Sequence, residues 1–335
     1  MAFVKRIGID LGTANSLVWV AGRGIVLNEP TVVAVRADDG QVIEVGNAAK
    51  EMLGKTPGNI VASRPMRDGV IADYRVTEAM LRYFVQKVCG RFFLFKPEVM
   101  ICVPAGVTQV ERRAVLDATL SAGAKNAYLI DEPLAAAIGA KIPIAAASGN
   151  MIIDIGGGSA EAAVISLGGV VVHKSVRVAG NRVDEAIVSY MRKRHNLLIG
   201  ETTAEEVKLR VGSATVLDKP ETMEVKGRDY VTGLPRAVVV NSTEITEAIR
   251  AVLIQIIGAA KGVLEETPPE LASDIIDKGI VMSGGTSTLR NFDRLMTELT
   301  GVPCHIAEEP LLCVVRGTGV AIENLDLYKK SVTRR

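Results

Sequence analysis

Two short segments make the strongest demand on how this chain folds. Ile7-Gly8-Ile9-Asp10-Leu11-Gly12-Thr13 and Ile152-Ile153-Asp154-Ile155-Gly156-Gly157-Gly158-Ser159 each read as a buried strand that ends in aspartate and then turns on glycine. A second β-rich run follows each of them, Ala14 to Val20 and Ala160 to Ile165. One unit recurring at so long a spacing points to a duplicated domain rather than a short solenoid repeat. At 335 residues the chain is long enough for two domains, each with its own core.

Composition narrows the class further. Hydrophobic residues make up 48% and charged residues 23%, the balance of a globular protein. Thirty-nine basic residues against 38 acidic ones give a formal net charge of +1, so no global attraction to nucleic acid exists and no nucleic-acid partner is expected. Cys89, Cys102, Cys304 and Cys313 form no CxxC pair and no tight cluster with His173, His195 or His305. Reduced thiols are expected, not a disulfide framework or a metal-thiolate site. The N-terminus runs directly into a strand-like segment without an apolar stretch suited to a signal peptide. No apolar run approaches the ~18 residues of a spanning helix. A cytosolic protein whose membrane contact is peripheral is expected.

The coarse pattern alternates strands and helices in both halves, which indicates an α/β protein with mixed sheets. In the first half, Val76 to Val88 has helical period, with Met80, Leu81, Phe84, Val85 and Val88 on one face. Val99 to Val103 and Ala127 to Ile130 read as strands, and Pro133 to Ala140 as a helix. Thr108 and Glu111 form a capping box for a helix ending near Ser121. In the second half, helices are expected near 182–194 and 203–212, a β-rich stretch near 222–240, and a long helix from Thr243 to Glu266. A strand from Lys278 to Met282 should lead into a glycine turn and a helix from Thr288 to Thr300. Segments 32–65 and 181–242 look like small inserted subdomains.

The chemistry concentrates at four glycine- or proline-marked turns. Gly12 permits close approach of backbone to a ligand, and Thr13, Ala14 and Asn15 can offer N–H groups to phosphate. Gly156, Gly157, Gly158 and Ser159 form a second such turn. Two Asp-Gly turns from two halves can grip one phosphate chain across a cleft. Asp10 and Asp154, at strand ends, suit Mg²⁺, which keeps several waters and takes few protein ligands. At Ile130-Asp131-Glu132-Pro133, two roles are open. Asp131 caps the helix while Glu132 complements its dipole, or Glu132 orients an attacking water for in-line phosphoryl transfer. Ser283-Gly284-Gly285-Thr286-Ser287-Thr288 is a strand-to-helix turn that can lie against a nucleoside and its phosphates. No GxxxxGK[ST] occurs, and no GxGxxG follows the first strand, so the P-loop and dinucleotide folds are set aside.

Taken in order, DLGTAN, IDEPLAAAIGA, DIGGGS and SGGTSTL resemble the actin, heat-shock-chaperone and sugar-kinase superfamily of ATPases. Within it, GIVLNEP from Gly24, RPMRDGVIAD from Arg64 and LFKP from Leu94 resemble the MreB/Mbl family of bacterial actin-like cell-shape proteins, over essentially the whole chain. The resemblance implies the actin-like ATPase fold, with two duplicated ribonuclease-H-like domains of mixed sheets around a nucleotide cleft. Residues 1–146 plus 315–335 would form the first domain and 147–314 the second, each with its small subdomain. It implies ATP and Mg²⁺ as ligands, Asp10 and Asp154 flanking the metal, and Glu132 positioning water. Thr13, Ala14, Asn15, Gly156, Gly157, Gly158 and Ser159 would bind phosphate. Glu205, Glu206, Val207 and Lys208, together with Gly284, Gly285, Thr286, Ser287 and Thr288, would line the nucleoside.

By residue type alone, Glu205 and Lys208 are an i,i+3 charge pair on a helix face. Three positions depart from the family pattern. Ser159 stands for threonine, Asn181 for an aspartate after Gly180, and Thr286 for a third glycine, where a β-branched residue is strained if φ must be positive. Phe92, Phe93, Leu94 and Phe95, between Arg91 and Lys96, are either a core contact or a loop that dips into a bilayer. The resemblance implies the second, with Phe93, Leu94 and Phe95 as membrane contacts. Lys329, Lys330, Arg334 and Arg335 read as a solvated end. The family further implies filaments by self-association, residence at the inner face of the cell membrane, and cell-wall elongation membrane proteins as partners. The alternatives are a small-molecule kinase of the superfamily and a nucleotide-binding scaffold without turnover.

Overall fold

The computed structural model describes residues 4–90, 95–329 and 331–334. Among them, the strands assemble into two large mixed sheets and smaller ones. The first large sheet runs in the order Val332–Arg334, Asn126–Asp131, Glu98–Val103, Arg6–Leu11, Asn15–Val20, Gly24–Pro30. The second runs Gly169–Val176, Ala160–Ser166, Asn150–Ile155, Ile280–Ser283, Cys304–Ile306. Both follow one plan. A strand ending in aspartate pairs antiparallel with the strand after its glycine turn, and parallel with a strand reached later by crossover. The apolar run at Asn150–Ile155 is buried along its whole length, as befits a central strand covered on both faces.

Each sheet has its own core. Ile7, Ile9, Leu81, Phe84, Val99 and Ile101 meet in the first, and Ile153, Val164, Ile187, Ile249, Leu253 and Phe292 in the second. Two small three-stranded sheets stand apart from these. One joins Val33–Arg36, Val42–Val45 and Ile60–Ser63, with the helix Asn47–Met52 beside it. A small cluster of Val32, Ala34 and Ala49 lies within it, while its Val33 and Val45 join the first large core. The other joins Leu197–Leu198, Thr222–Asp229 and Pro235–Asn241.

Helix boundaries follow the capping chemistry. Asp73 accepts from the Val76 N–H at 3.1 Å and starts Tyr74–Cys89, whose buried face is the expected one. Thr108 and Glu111 form the expected capping box of Gln109–Ser121. Asn241 and Glu244 form another for Ser242–Glu266.

Four expectations need correcting. Pro269–Lys278 and Cys313–Glu323 are helices that periodicity did not single out. Lys278 therefore ends a helix, and the strand begins at Ile280, after Gly279 turns the chain at φ 79°. The helix expected from Thr288 begins at Phe292, because Gly285–Thr288 is a 3₁₀ turn and Asn291 takes a left-handed φ of 59°. The basic C-terminal segment is not a free end. Val332–Arg334 pairs antiparallel with Asn126–Asp131, and the Arg334 guanidinium lies 5.8 Å from the centre of the Tyr128 ring. All four cysteines are free thiols, with Cys102 and Cys313 buried and Cys89 and Cys304 half-buried.

The helix Glu132–Gly139, which carries Glu132, is locked against Cys313–Glu323 by missing side chains. A methyl group on Gly317 would fall inside the Ala135 carbonyl, and one on Gly139 inside the Cys313 carbonyl. Gly317→Ala is therefore expected to cost about 1–3 kcal/mol or more by overpacking, read as a lower urea midpoint at unchanged slope. Gly58→Ala, where an added methyl meets nothing within 4 Å, should stay within about 0.5 kcal/mol of wild type in the same assay.

Candidate functional site

The two aspartate-glycine turns touch. A methyl group on Gly157 would stand 2.6 Å from the Ala14 methyl, and one on Gly158 would overlap the Thr13 hydroxyl. Only glycine lets the second turn approach the first so closely. Gly69 completes the contact. Its N–H donates to Thr13 Oγ1 at 3.0 Å, and a methyl on it would lie 2.9 Å from Ser159 Oγ.

Each turn is braced from behind. Thr31 Oγ1 donates to the Gly12 carbonyl at 2.7 Å, and the Thr31 N–H donates to the Ala14 carbonyl at 2.9 Å. In the second turn the N–H of Asn181 donates to the Gly157 carbonyl at 2.8 Å, and Thr286 Oγ1 donates to the Gly156 carbonyl at 2.7 Å. The strain expected at Thr286 is absent. Gly284 takes the positive φ, 83°, while Thr286 sits in a 3₁₀ turn and uses its hydroxyl as a brace. Ser287 Oγ donates to the Gly284 carbonyl and Thr288 Oγ1 to the Gly285 carbonyl, both at 2.7 Å, so these hydroxyls hold their own turn.

Carboxylates crowd around this contact. Burial and then the nearby Asp154 charge push the Asp10 carboxyl up to about 7, against a hydrogen bond from the Cys102 thiol at 3.5 Å. Burial lifts Asp154 to about 6, although Ser283 Oγ donates to it at 2.6 Å. Glu132 is pushed well above the usual range by burial and then by Glu161, Asp10, Asp154 and Asp131. Among the described residues no lysine or arginine pairs with Asp10, Glu132, Asp154 or Glu161. Only Asp131 has one, Arg112 at 2.6 Å. Asp131 makes no side-chain cap bond to the helix that follows, so its role there is the ion pair.

Buried carboxylates without a cationic partner are costly, and a bound cation would relieve them. Among the described residues no three His, Cys, Asp or Glu side chains could hold a metal by themselves. Two facing aspartates instead fit an ion that keeps most of its waters, as Mg²⁺ does.

Glu161 is a member of this set that motif reading missed. It is 1% exposed, lies directly across the strand pair from Asp154, and accepts from the Ala105 N–H at 3.2 Å and from Ser175 Oγ. Burial brings its carboxyl to about 7. The signal was a single charge inside the apolar run Ala160 to Ile165.

The expected nucleoside-side segment is brought in only partly. Val207 is fully buried in the second core, and Glu206 pairs with Arg210 at 3.2 Å on an exposed face. Glu205 and Lys208 do not pair with each other. Lys208 reaches Asp184 at 2.9 Å, and Glu205 accepts from Lys50 at 3.0 Å. Phe93 and Leu94 lie outside the described residues, and Phe95 at their edge is 51% exposed. No described helix is long and apolar enough to cross a membrane.

With this geometry in hand, comparison with known proteins gives a consistent picture. The family model described as MreB/Mbl protein matches residues 4–330. The cell shape-determining protein MreB of Escherichia coli (strain K12) is 52% identical over 331 residues, covering 97% of this chain and 95% of that protein. Crystal structures of MreB5 of Spiroplasma citri, bound to ADP and to AMPPNP, are 37% identical and superpose with TM-scores of 0.92 and 0.93. The match covers 98% of this chain and 98% and 99% of those chains. The MamK double helical filament, at 23% identity, shares the fold with a TM-score of 0.81, covering 95% of this chain and 98% of that one. The fold is actin-like, with α/β mixed sheets.

The raised carboxyls set a pH dependence. In the protein without metal or nucleotide, Asp10 and Asp154 hold protons to a higher pH folded than unfolded. Below about pH 4 both states are protonated. Above it the unfolded chain ionises first, so stability should fall as pH rises from about 5 to about 8. The loss is about 1.4 kcal/mol per pH unit for each proton still retained. Urea midpoints measured in chelator across that range check this, and a midpoint that climbs contradicts it.

Proposed function

This chain belongs to the MreB/Mbl family, and from that premise we propose that it is an ATP-hydrolysing actin homologue. It forms filaments at the inner face of the cell membrane and directs cell-wall synthesis to maintain rod shape. The observation that carries the reading is the contact of the two aspartate-glycine turns beside the buried or half-buried carboxylates Asp10, Glu132, Asp154 and Glu161. The nucleotides in the MreB5 structures and the filament of MamK support it. The reading takes residues 1–146 with 315–335, and 147–314, as the two domains. Each large sheet having a core of its own supports that division, while a third cluster, with Met100 and Ile130 from one sheet and Ile152 and Ile165 from the other, joins the two.

The residues divide the work as follows. The backbone N–H groups of residues 13–15 and 157–159 bind the phosphate chain from its two sides, while the Gly156 N–H holds the turn by donating to the Ser159 carbonyl at 3.0 Å. Asp10 and Asp154 hold Mg²⁺ through its water shell, and the ion supplies positive charge to the phosphate oxygens. Glu132 accepts a hydrogen bond from the attacking water and aims it in line with the terminal phosphorus. The water oxygen bonds to phosphorus as the bond to the ADP oxygen breaks, and the water proton leaves by way of Glu132. Glu205 and Lys208 face the nucleoside, and Gly284 and Gly285 bring backbone close to it. Closing the cleft changes the relation of the two halves, which gives nucleotide state a route to head-to-tail filament contacts. Phe93, Leu94 and Phe95, flanked by Arg91 and Lys96, form the membrane-contacting loop.

Purified protein should form pelletable filaments with Mg²⁺ and ATP, and persistent monomers at high concentration would count against the reading. Glu132→Ala should slow phosphate release by about 10²–10⁴-fold while nucleotide affinity stays within a few-fold. Equal release from variant and wild type favours a scaffold without turnover. Co-sedimentation with anionic vesicles should be lost in Phe93→Ser with Leu94→Ser while filaments still form. Retained vesicle binding would remove the membrane loop from the account.

A further inference from the structure

The two small sheets are tied together across the mouth of the cleft by ion pairs, not by strand pairing. Lys50, on the helix Asn47–Met52, donates to Glu205 Oε2 at 3.0 Å, and Glu205 lies on the helix Glu201–Val211 in the other half. Arg64, one residue beyond the strand Ile60–Ser63, stands 3.9 Å from Glu201 at the start of that same helix. Lower down, Arg182 stands 3.8 Å from Asp68.

The first of these pairs is the best placed to matter. Lys50 and Glu205 keep only 32% and 33% of their side chains exposed, so water screens them incompletely. Behind Glu205 lies the deeper pair Lys208–Asp184, at 14% and 13% exposure. Burial raises the Glu205 carboxyl, but Lys50, Lys208 and Arg64 together outweigh it and hold it below the usual carboxylate range. Glu205 thus sits among cations from both halves.

The lobe that carries Lys50 is lightly anchored. Its own core consists of Val32, Ala34 and Ala49 with a few half-buried neighbours, and its hold on the first large core is through Val33 and Val45. The bridge is linked to the second glycine turn: Lys208, one turn along the helix from Glu205, also reaches the Gly180 carbonyl at 3.5 Å, and the Gly180 N–H donates to the Gly156 carbonyl at 3.2 Å.

We propose that Lys50–Glu205, seconded by Arg64–Glu201, is an electrostatic latch that closes the cleft mouth and sets how fast nucleotide leaves. The proposal rests on the reading that the cleft holds a nucleotide. A partly exposed pair contributes modestly, so the latch slows release without trapping the ligand, and its strength falls with salt.

Stopped-flow release of a fluorescent ATP analogue tests it on the full chain. Lys50→Met should speed release roughly two- to five-fold. Glu205→Gln should also speed it, and the double variant should be no faster than the faster single one. Raising the ionic strength should accelerate wild type more than Lys50→Met. Unchanged release in Lys50→Met, or single effects that multiply in the double variant, overturns the latch.

Hydrogen exchange on the nucleotide-free protein supplies a readout independent of binding. Backbone amides at 46–63 should exchange faster in Lys50→Met than in wild type, and equal exchange overturns the latch whatever the release rates. A wild-type protein that binds no nucleotide at all overturns the proposed function and the gating with it. Faster exchange in the variant would then leave the pair as a structural strap only.

Discussion

Negative charge, buried at Asp154 and Glu161 and half-buried at Asp10 and Glu132, is what the rest of this structure is arranged around. Asp10, Glu132, Asp154 and Glu161 converge from both halves with no lysine or arginine paired to them among the described residues. Such a set is tolerated only where protons or a bound cation neutralise it. The protein spends hydrogen bonds on it sparingly: a thiol to Asp10, a hydroxyl to Asp154, and an amide and a hydroxyl to Glu161. A bound cation would relieve such a site.

The scaffold around the site is correspondingly rigid. The glycine contacts between Glu132–Gly139 and Cys313–Glu323 fix the helix that carries Glu132. Thr31 and Thr286 brace the two turns from their outer sides. Polar side chains are used here to hold backbone, which leaves the inward N–H groups of the turns for a ligand. The small sheets, by contrast, are joined through ion pairs; the first has a minor core of its own, and the second packs Leu197, Val225 and Val240 into the large core.

Much of this was legible in residue order. The capping box at Thr108 depends on a neighbour three residues away, and periodicity marks the buried face of Tyr74–Cys89. Short-range chemistry of this kind is written along the chain. Thr286 shows the limit. Its identity suggested strain, but its conformation depended on Gly284 taking the positive φ beside it. Val207 and Glu206 show another. Segment membership placed them at the nucleoside, while helical phase put one in the core and the other in an exposed pair. The C-terminal basic segment looked solvated because nothing local reveals that Asn126–Asp131 has a free edge to pair with it.

The sequence by itself determined the repeated aspartate-glycine turn, the α/β alternation, the family, and the acidic residues Asp10, Glu132 and Asp154. The turns, the alternation and the acidic residues follow from residue type and short spacing, and the family from the resemblance of ordered motifs along the chain. Tertiary structure alone decided that the two turns touch, that Glu161 joins the carboxylates, and that Lys50 reaches Glu205 across the cleft. Those facts involve groups brought together only when both sheets pack. Coulomb interaction and steric contact depend on distance in space, which the order of residues does not record.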